Sequence, residues 1–478
     1  MNLRRWGRIA GPLAAVLLYA WIPDTLPDPA GGELVLGRAG RITGAVVAWM
    51  AIWWMTECIS IFVTALLPAL VLPLTGIQDL PGTTALYAHP LIFLAMGGFV
   101  LALALERWEL HRRFAVFILR AVGTGPRRLV GGFMIVSASL SMWISNTAAA
   151  VIMLPIALSI IAVHDSGASH HRRFRLCLLL GTAYACSIGG MGTLIGTGTN
   201  VFLASYSATE LGRPISFAGW MALAIPLVLV LLPLAWWVLT RVVYRLPASA
   251  DKGGGIALPA SEAWSRGEVR TFAVFCLAVA GWVGQPLLAG MPLLRHLSDP
   301  GVALLAVFAL FLTPDGTRSG GRLMDWQTAA KLPWGVLLLL GGGLVLADAI
   351  DRHGVGAAIA ASSARLEGIP PLLIVLAATT LMSLLTELTS NLASTATLVP
   401  VLAAMATGLG IDPLVLIVPT VLAASSAFML PVATPPNTIV FGSGMLRIPE
   451  MVRSGIWINT LAVVLIALLA YPLASLLF

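Results

Sequence analysis

Two short runs place hydroxyl and amide side chains within otherwise lipid-compatible sequence: Ser141-Met142-Trp143-Ile144-Ser145-Asn146-Thr147 and Thr386-Glu387-Leu388-Thr389-Ser390-Asn391-Leu392. Backbone that is not helical at membrane depth must line a cavity or be buried in protein, because lipid offers it no partner. A tip that opens a new helix presents free N–H groups and the positive end of the helix dipole, which suits a carboxylate or sulfate. Ser and Asn side chains there can cap the helix, touch the anion and, with backbone carbonyls, ligate a small hard cation. Such residues also join membrane helices at modest energy. Their recurrence at matching places in two halves of the chain favours binding.

Each run is followed by a segment that cannot stay helical. Gly189-Gly190-Met191-Gly192-Thr193 through Asn200 is one, and Pro431 through Asn437 the other. Pro435-Pro436 removes two donors and leaves carbonyls free. Half-helix ends and freed carbonyls near the midplane set anion-binding and cation-binding groups side by side. No Lys or Arg lies in either tip or either broken segment. A dianion held there needs its charge offset by helix termini and co-bound cations, which points to cation coupling. Glu57, Glu387 and Asp348 are the acidic residues nearest the membrane interior, read either as hydrogen-bonded structural groups or as proton or cation carriers.

Other chemistries find no foothold. The seven histidines fall at span ends and in loops, with no His-x-x-x-His or His-Glu pair inside a span, which argues against an intramembrane metalloenzyme. There is no nucleophile elbow, phosphate loop or pair of catalytic carboxylates, so no enzyme is expected. The net charge of +7 comes from Arg scattered over short loops, without a basic stripe or nucleic-acid motif, so it reads as topology.

The elements that must position these groups are membrane helices. Of 478 residues, 58% are hydrophobic and 10% charged, room for about eleven spans of roughly 20 residues. They are expected near 9–24, 41–55, 58–76, 90–108, 176–206, 217–240, 271–289, 300–314, 333–350, 413–445 and 455–477. Stretches 128–163 and 370–408 are interrupted at the polar tips and must cross twice or enter and return. With the N-terminus inside and both stretches returning, most Lys and Arg fall on the cytoplasmic side. They include Arg112, Arg113, Arg127 and Arg128 before the first tip and Arg172, Arg173 and Arg175 after it. The second stretch is flanked by Arg352, Arg365, Glu367 and Asp412 on the outer side. The run after Arg4, Arg5 and Arg8 reads as an uncleaved first span, since no small-x-small cleavage site follows. Cys58, Cys177, Cys186 and Cys276 lack metal or disulfide spacing and read as packing residues.

The chain also repeats itself. In one register Gly97-Gly98 falls on Gly342-Gly343, Glu106-Arg107 on Asp351-Arg352, Ser145-Asn146 on Ser390-Asn391 and Pro155 on Pro400. In a slightly shifted one, Gly196-Thr197-Gly198-Thr199-Asn200 falls on Ala433-Thr434-Pro435-Pro436-Asn437. Five spans per copy send the second copy into the membrane from the opposite side, the inverted-repeat plan of secondary transporters. The expected fold is an all-α polytopic membrane protein. Residues 1–40 form a first span and outer loop, and 41–245 a repeat with an inward hairpin. Residues 246–270, with Gly253 to Gly255, form a cytoplasmic linker, and 271–478 a repeat with an outward hairpin. The C-terminus then lies outside. Gly97-Gly98 and Gly341 to Gly343 read as close-packing points between helices.

Assembled, these residues resemble the divalent anion:sodium symporter family. The likeness runs through Trp53-Trp54-Met55-Thr56-Glu57 and Thr64-Ala65-Leu66-Leu67-Pro68, Gly97-Gly98-Phe99 with Glu106 to Arg113, and Ser141 to Thr147. It is most specific in Ala424-Ser425-Ser426-Ala427-Phe428-Met429-Leu430-Pro431-Val432-Ala433-Thr434-Pro435-Pro436-Asn437. The resemblance implies a homodimer whose transport domain slides like an elevator against a scaffold. It implies one sodium site from Ser141, Ser145, Asn146 and Gly196 and another from Thr386, Thr389, Asn391 and Ala433. Substrate contacts would come from Ser145, Asn146, Thr147, Thr197, Ser390, Asn391, Thr434 and Pro435. The family's second Ser-Asn-Thr ends here in Leu392, in place of a hydroxyl expected to face the substrate.

The expected function is sodium-coupled symport of small dicarboxylates across the inner membrane. A divalent oxyanion such as sulfate, or exchange on the same fold, is the alternative. The expected partners are a small anionic substrate, sodium ions, the lipid bilayer and a second copy of the chain, with no nucleic acid and no cofactor besides the coupling ion.

Overall fold

The computed structural model describes residues 3–27, 33–122, 125–164, 169–247, 263–288, 290–292, 294–317, 320–363, 366 and 368–478. Most of the loop expected to link the halves, including Gly253 to Gly255, lies outside them, as do Arg365 and Glu367. Most described residues are helical. Six helices among them are long and apolar enough to cross a membrane: Leu80–Arg107, Phe217–Val243, Arg266–Leu288, Trp334–Arg352, Asn391–Gly408 and Ile448–Leu477. Shorter apolar helices cover Ile61–Leu74, Asn146–Ala162, Asp299–Leu312, Pro371–Leu385 and Pro413–Ala424.

The differences from the sequence reading have local causes. The span expected at 58–76 is divided into helices Ile61–Thr64 and Leu67–Leu74, with Pro68 in the first turn of the second, where a missing N–H costs nothing. Among the described residues one short antiparallel ribbon, Thr25–Pro27 paired with Glu33–Val35, is added to the otherwise helical fold. Pro23 follows the end of the preceding helix at Trp21 and cannot continue it, and the returning strand pairs with the first. Helices Leu110–Val122 and Val355–Ser363 occupy segments read as loops. Cys58, Cys177 and Cys186 are buried as expected of packing residues, whereas Cys276 is exposed.

Both polar runs are helix breaks. Helix Pro126–Ser141 stops before the first tip and helix Asn146–His164 starts within it. Helix Pro371–Leu385 and helix Asn391–Gly408 do the same at the second. The glycine and proline segments are breaks as well, between Ser169–Gly190 and Gly198–Thr209, and between Pro413–Ala424 and Pro435–Gly442. Both arms of the first tip pack on Ser169–Gly190, and both arms of the second on Pro413–Ala424. The packing then crosses over: Gly198–Thr209 lies on Asn391–Gly408, and Pro435–Gly442 on Asn146–His164. Each half therefore holds an arm of the other half's tip.

Small residues permit this density. A methyl group on Gly97 would sit 2.7 Å from Ala303 Cβ, one on Gly98 2.8 Å from Ile195 Cγ2, and one on Gly343 2.5 Å from Phe202 Cε2. On Gly342 it would sit 2.0 Å from the Ala65 carbonyl oxygen, a backbone atom that cannot swing aside. Overpacking of this kind costs about 1–3 kcal/mol. Gly342→Ala is expected to lower the melting temperature of the purified protein clearly, while Gly284→Ala, where nothing lies within 4 Å, leaves it unchanged or slightly raised. Thermal unfolding in detergent of the two variants side by side checks this.

Candidate functional site

The first break is closed by backbone approach and by one asparagine. A methyl on Gly189 would fall 2.2 Å from the Ala138 carbonyl oxygen, and one on Gly196 2.3 Å from that of Gly190, so the chain can fold back on itself only without side chains there. Asn200, fully buried in the first turn of the second half-helix, donates through Nδ2 to the carbonyls of Gly190 at 3.2 Å, Met191 at 3.4 Å and Thr193 at 2.8 Å. Trp220 Nε1 adds a bond to Met191 O at 2.9 Å. The tip is tied to this break by Thr193 Oγ1, which donates to Met142 O at 2.5 Å.

Around it the expected residues gather. Ser141 Oγ donates to Asn146 Oδ1 at 2.5 Å. A methyl on Gly190 would meet that same Asn146 oxygen at 2.4 Å and Thr197 Cγ2 at 2.9 Å, so Asn146, Gly190 and Thr197 share one small volume beside Gly196. Ser145 Oγ accepts from the N–H of Ala148 at 3.2 Å, capping the new helix as its residue type suggests. Thr197 Oγ1 pairs with Thr199 Oγ1 at 2.8 Å.

The second break uses a different lock. Asn437 repeats the part of Asn200, donating from Nδ2 to Ala427 O at 3.2 Å and Leu430 O at 3.0 Å. Pro435 and Pro436 open the half-helix at its first two positions, where no N–H is needed. The N–H groups of Phe428, Met429 and Leu430 then converge on the Glu387 carboxylate at 2.8, 2.9 and 2.9 Å. Asn459 Nδ2 donates to it at 2.7 Å. Ser383 Oγ, donating to Ser426 O at 2.8 Å, is a further tie between tip and break.

The expected residues of the second tip gather less completely. Thr386 Oγ1 donates to Ser383 O at 3.2 Å. Thr389 Oγ1 donates to Leu385 O at 2.8 Å and lies 2.6 Å from Ser394 Oγ, so it is turned into its own tip. Among the described residues no hydrogen bond joins Ala433 or Thr434 to Thr386, Thr389 or Asn391; Thr434 Oγ1 instead accepts from Asn437 N at 3.4 Å. Asn391 Oδ1 is buried without a partner. Leu392 reaches across to the other half: a methyl on Gly198 would sit 2.9 Å from Leu392 Cδ2.

Burial sorts the residues. Ser141, Gly196, Thr386, Thr389, Ala433 and Thr434 are buried, and Asn146, Thr197, Ser390, Asn391 and Leu392 are half-buried. Ser145, Thr147 and Pro435 are exposed. The acidic residues left open by the sequence separate too: Glu387 is consumed by the second break, Asp348 by Arg352 Nε at 2.6 Å and Gln78 Nε2 at 3.2 Å, and Glu57 is exposed. The sequence reading did not single out Asn459. An amide within the apolar helix Ile448–Leu465 was the available signal, since such a group needs a partner in lipid surroundings.

Residues 51–420 match the family model described as citrate transporter. The chain is 39% identical to a sodium-dependent dicarboxylate transporter, SdcS, of Staphylococcus saprophyticus, over 97% of this chain and 90% of that protein. Its namesake in Staphylococcus aureus is 38% identical over the same shares. The chain belongs to the divalent anion:sodium symporter family. It is a transporter and an integral membrane protein. Two solved transporters share the fold at low identity. The Alcanivorax borkumensis YdaH transporter has a TM-score of 0.62 and 15% identity, covering 98% of this chain and 97% of its own. Neisseria gonorrhoeae MtrF has 0.61 and 12%, covering 98% and 94%.

Glu387→Gln replaces an acceptor by an amide whose NH2 faces N–H donors. One to two of those donors lose their partner, at about 1–3 kcal/mol each. The variant is expected to melt well below the native protein, whereas Glu57→Gln at an exposed position melts with it; differential scanning fluorimetry of the two reads the contrast.

Proposed function

We propose that the chain carries small divalent anions, C4-dicarboxylates such as succinate, malate and fumarate, in symport with sodium ions across the plasma membrane. The observation that carries this reading is a pair of helix breaks whose tips bear hydroxyl and amide side chains, with no Lys or Arg in either tip or either broken segment. Cations bound beside a dianion offset its charge where no Lys or Arg does. The names of the staphylococcal relatives support both the ion and the substrate class.

Oxygen-bearing residues of each tip and break suit the ions. Ser141, Ser145, Asn146 and Gly196 form one sodium site and Thr386, Thr389, Asn391 and Ala433 the other, through hydroxyl, amide and carbonyl oxygens. The unpartnered Asn391 Oδ1 is an acceptor of the kind a cation satisfies. The anion would meet Ser145, Asn146, Thr147, Thr197, Ser390, Asn391, Leu392, Thr434 and Pro435. Thr389 Oγ1 donates to Leu385 O and would ligate through its lone pairs.

The wider plan follows the same reading. About eleven spans form two inverted repeats, 41–245 and 271–478, after a first span within 1–40, joined by a cytoplasmic linker at 246–270. The N-terminal end lies in the cytoplasm and Phe478 outside. The tips and broken segments move together as an elevator within a homodimer. The crosswise packing of each half-helix on the other half's arm supports a transport body that moves as one.

Uptake of labelled succinate into proteoliposomes is expected to need an inward sodium gradient and to fall to background in Asn146→Ala and Asn391→Ala. Counterflow that proceeds without sodium would indicate exchange instead. Leu392→Thr is expected to change the order in which succinate, malate, citrate and sulfate compete with that label, since it restores a hydroxyl worth roughly 0.5–1.5 kcal/mol and relieves the contact with Gly198. An unchanged order removes Leu392 from the substrate's surroundings.

A further inference from the structure

The repeat has one pair of equivalent elements that differ sharply. Helix Leu110–Val122 follows Glu106-Arg107, and helix Val355–Ser363 follows Asp351-Arg352 in the same register. The second helix contains no charged and no aromatic residue. The first contains Arg112, Arg113, Arg120, Phe114 and Phe117. Packing inside the protein accounts for Arg113, but Arg112, which has an ion pair with Glu109 at 3.4 Å, Arg120 and Phe117 all lie exposed.

At 100° per residue, Arg112, Arg113, Val116 and Arg120 share one side, and Leu110, Phe114, Phe117 and Ile118 the other. Leu110 and Ala115 are fully buried, and Phe114 packs on Phe272 with centroids 5.7 Å apart. Phe117, at the border of the two sides, is 73% exposed. The Arg112 side chain is 58% exposed and Arg120 is exposed. Arg113 anchors the helix: its Nε lies 2.5 Å from Glu268 Oε1 and its guanidinium 5.1 Å from the ring centre of Trp264. Trp264 is itself 45% exposed. Basic side chains beside exposed Phe and Trp match the boundary between phosphate headgroups and acyl chains.

We infer that helix Leu110–Val122 is a docking surface for anionic phospholipid, with Arg112 and Arg120 on the headgroups and Phe117 and Trp264 in the outermost acyl region. The charge sign assigns the occupant, since the proposed sidedness sets this helix at the cytoplasmic leaflet, where anionic lipid attracts juxtamembrane arginine. Its neutral counterpart Val355–Ser363 falls at the opposite face. The inference rests on that sidedness and is independent of which anion is carried.

The test uses the full chain in detergent, titrated with phosphatidylglycerol or phosphatidylcholine, reading the half-saturating lipid concentration from the rise in melting temperature. Phosphatidylglycerol is expected to act at lower concentration, and a tenfold rise in ionic strength to weaken it. Arg112→Gln with Arg120→Gln is expected to raise its half-saturating concentration about twenty-five-fold, at about five-fold per arginine, with phosphatidylcholine unaffected. Arg112→Lys with Arg120→Lys keeps most of the preference, and Phe117→Ser weakens both lipids. Equal action of the two lipids on the native chain overturns the inference, as does an undiminished preference in the glutamine pair. Stabilisation by glycerol 3-phosphate alone equal to that by the lipid also overturns it, in favour of a free phosphate. Should the glutamine pair fail to fold, the salt dependence of the native chain decides, and a preference indifferent to salt counts against the inference.

Discussion

Breaking a helix inside a membrane strips backbone groups of partners where lipid cannot replace them, and this structure is organised around supplying those partners. Asn200 and Asn437 do so from corresponding positions, each reaching back from the first turn of a half-helix to the carbonyls that the break released. An unpaired buried carbonyl or N–H costs about 1–3 kcal/mol, so two or three left open would be comparable to the whole stability of an ordinary domain. The breaks exist because the amides close them. The amides do not reach the helix starts at Asn146, where Ser145 caps one N–H, and at Asn391; on the proposed reading these starts meet the ligand.

The two halves solve the same problem with different charge. In the first, a neutral bond from Thr193 to the Met142 carbonyl ties tip to break. In the second, the position equivalent to Met142 is Glu387, whose carboxylate gathers three N–H groups and the Asn459 amide. One carboxyl group thus collects four donors where the first half has a single hydroxyl-to-carbonyl bond. Sequence symmetry in the Ser-Asn pairs therefore coexists with asymmetry in what holds them.

How far this was legible from sequence follows the range of each interaction. The tips were visible because polar residues stand out in apolar runs, and the breaks because clustered glycines weaken a helix and Pro435-Pro436 cannot continue one, although Gly189 and Gly190 still close the first half-helix and Pro435-Pro436 open the last. The gathering of Ser141 and Asn146 is local, five residues apart, and was anticipated. The turning of Thr389 onto Leu385 and Ser394, and the convergence on Glu387 of groups some forty residues away, depend on which helices meet, and no periodicity encodes that. Leu110–Val122 was passed over because three arginines and a histidine interrupt its apolar positions, and such a segment in a membrane sequence reads first as loop.

Leu392 brings the two kinds of information together. Its presence in place of a hydroxyl was plain in the sequence, but its neighbour was not. It lies over Gly198, the first residue of the first half's broken helix, so one residue of the second tip seals part of the start of a helix belonging to the other half. A hydroxyl there would leave that start more open and more polar. The branched alkyl group narrows it, and Gly198 is the small residue that lets the narrowing occur without a clash. On the proposed reading, the dimension of the cleft is set by this pair across the halves, while its charge is set by the ions. By linkage, any factor by which bound cations raise the anion's affinity is the factor by which the anion raises theirs. A cleft that excluded the anion by size would thus weaken cation binding as well, so specificity and coupling rest on the same few contacts.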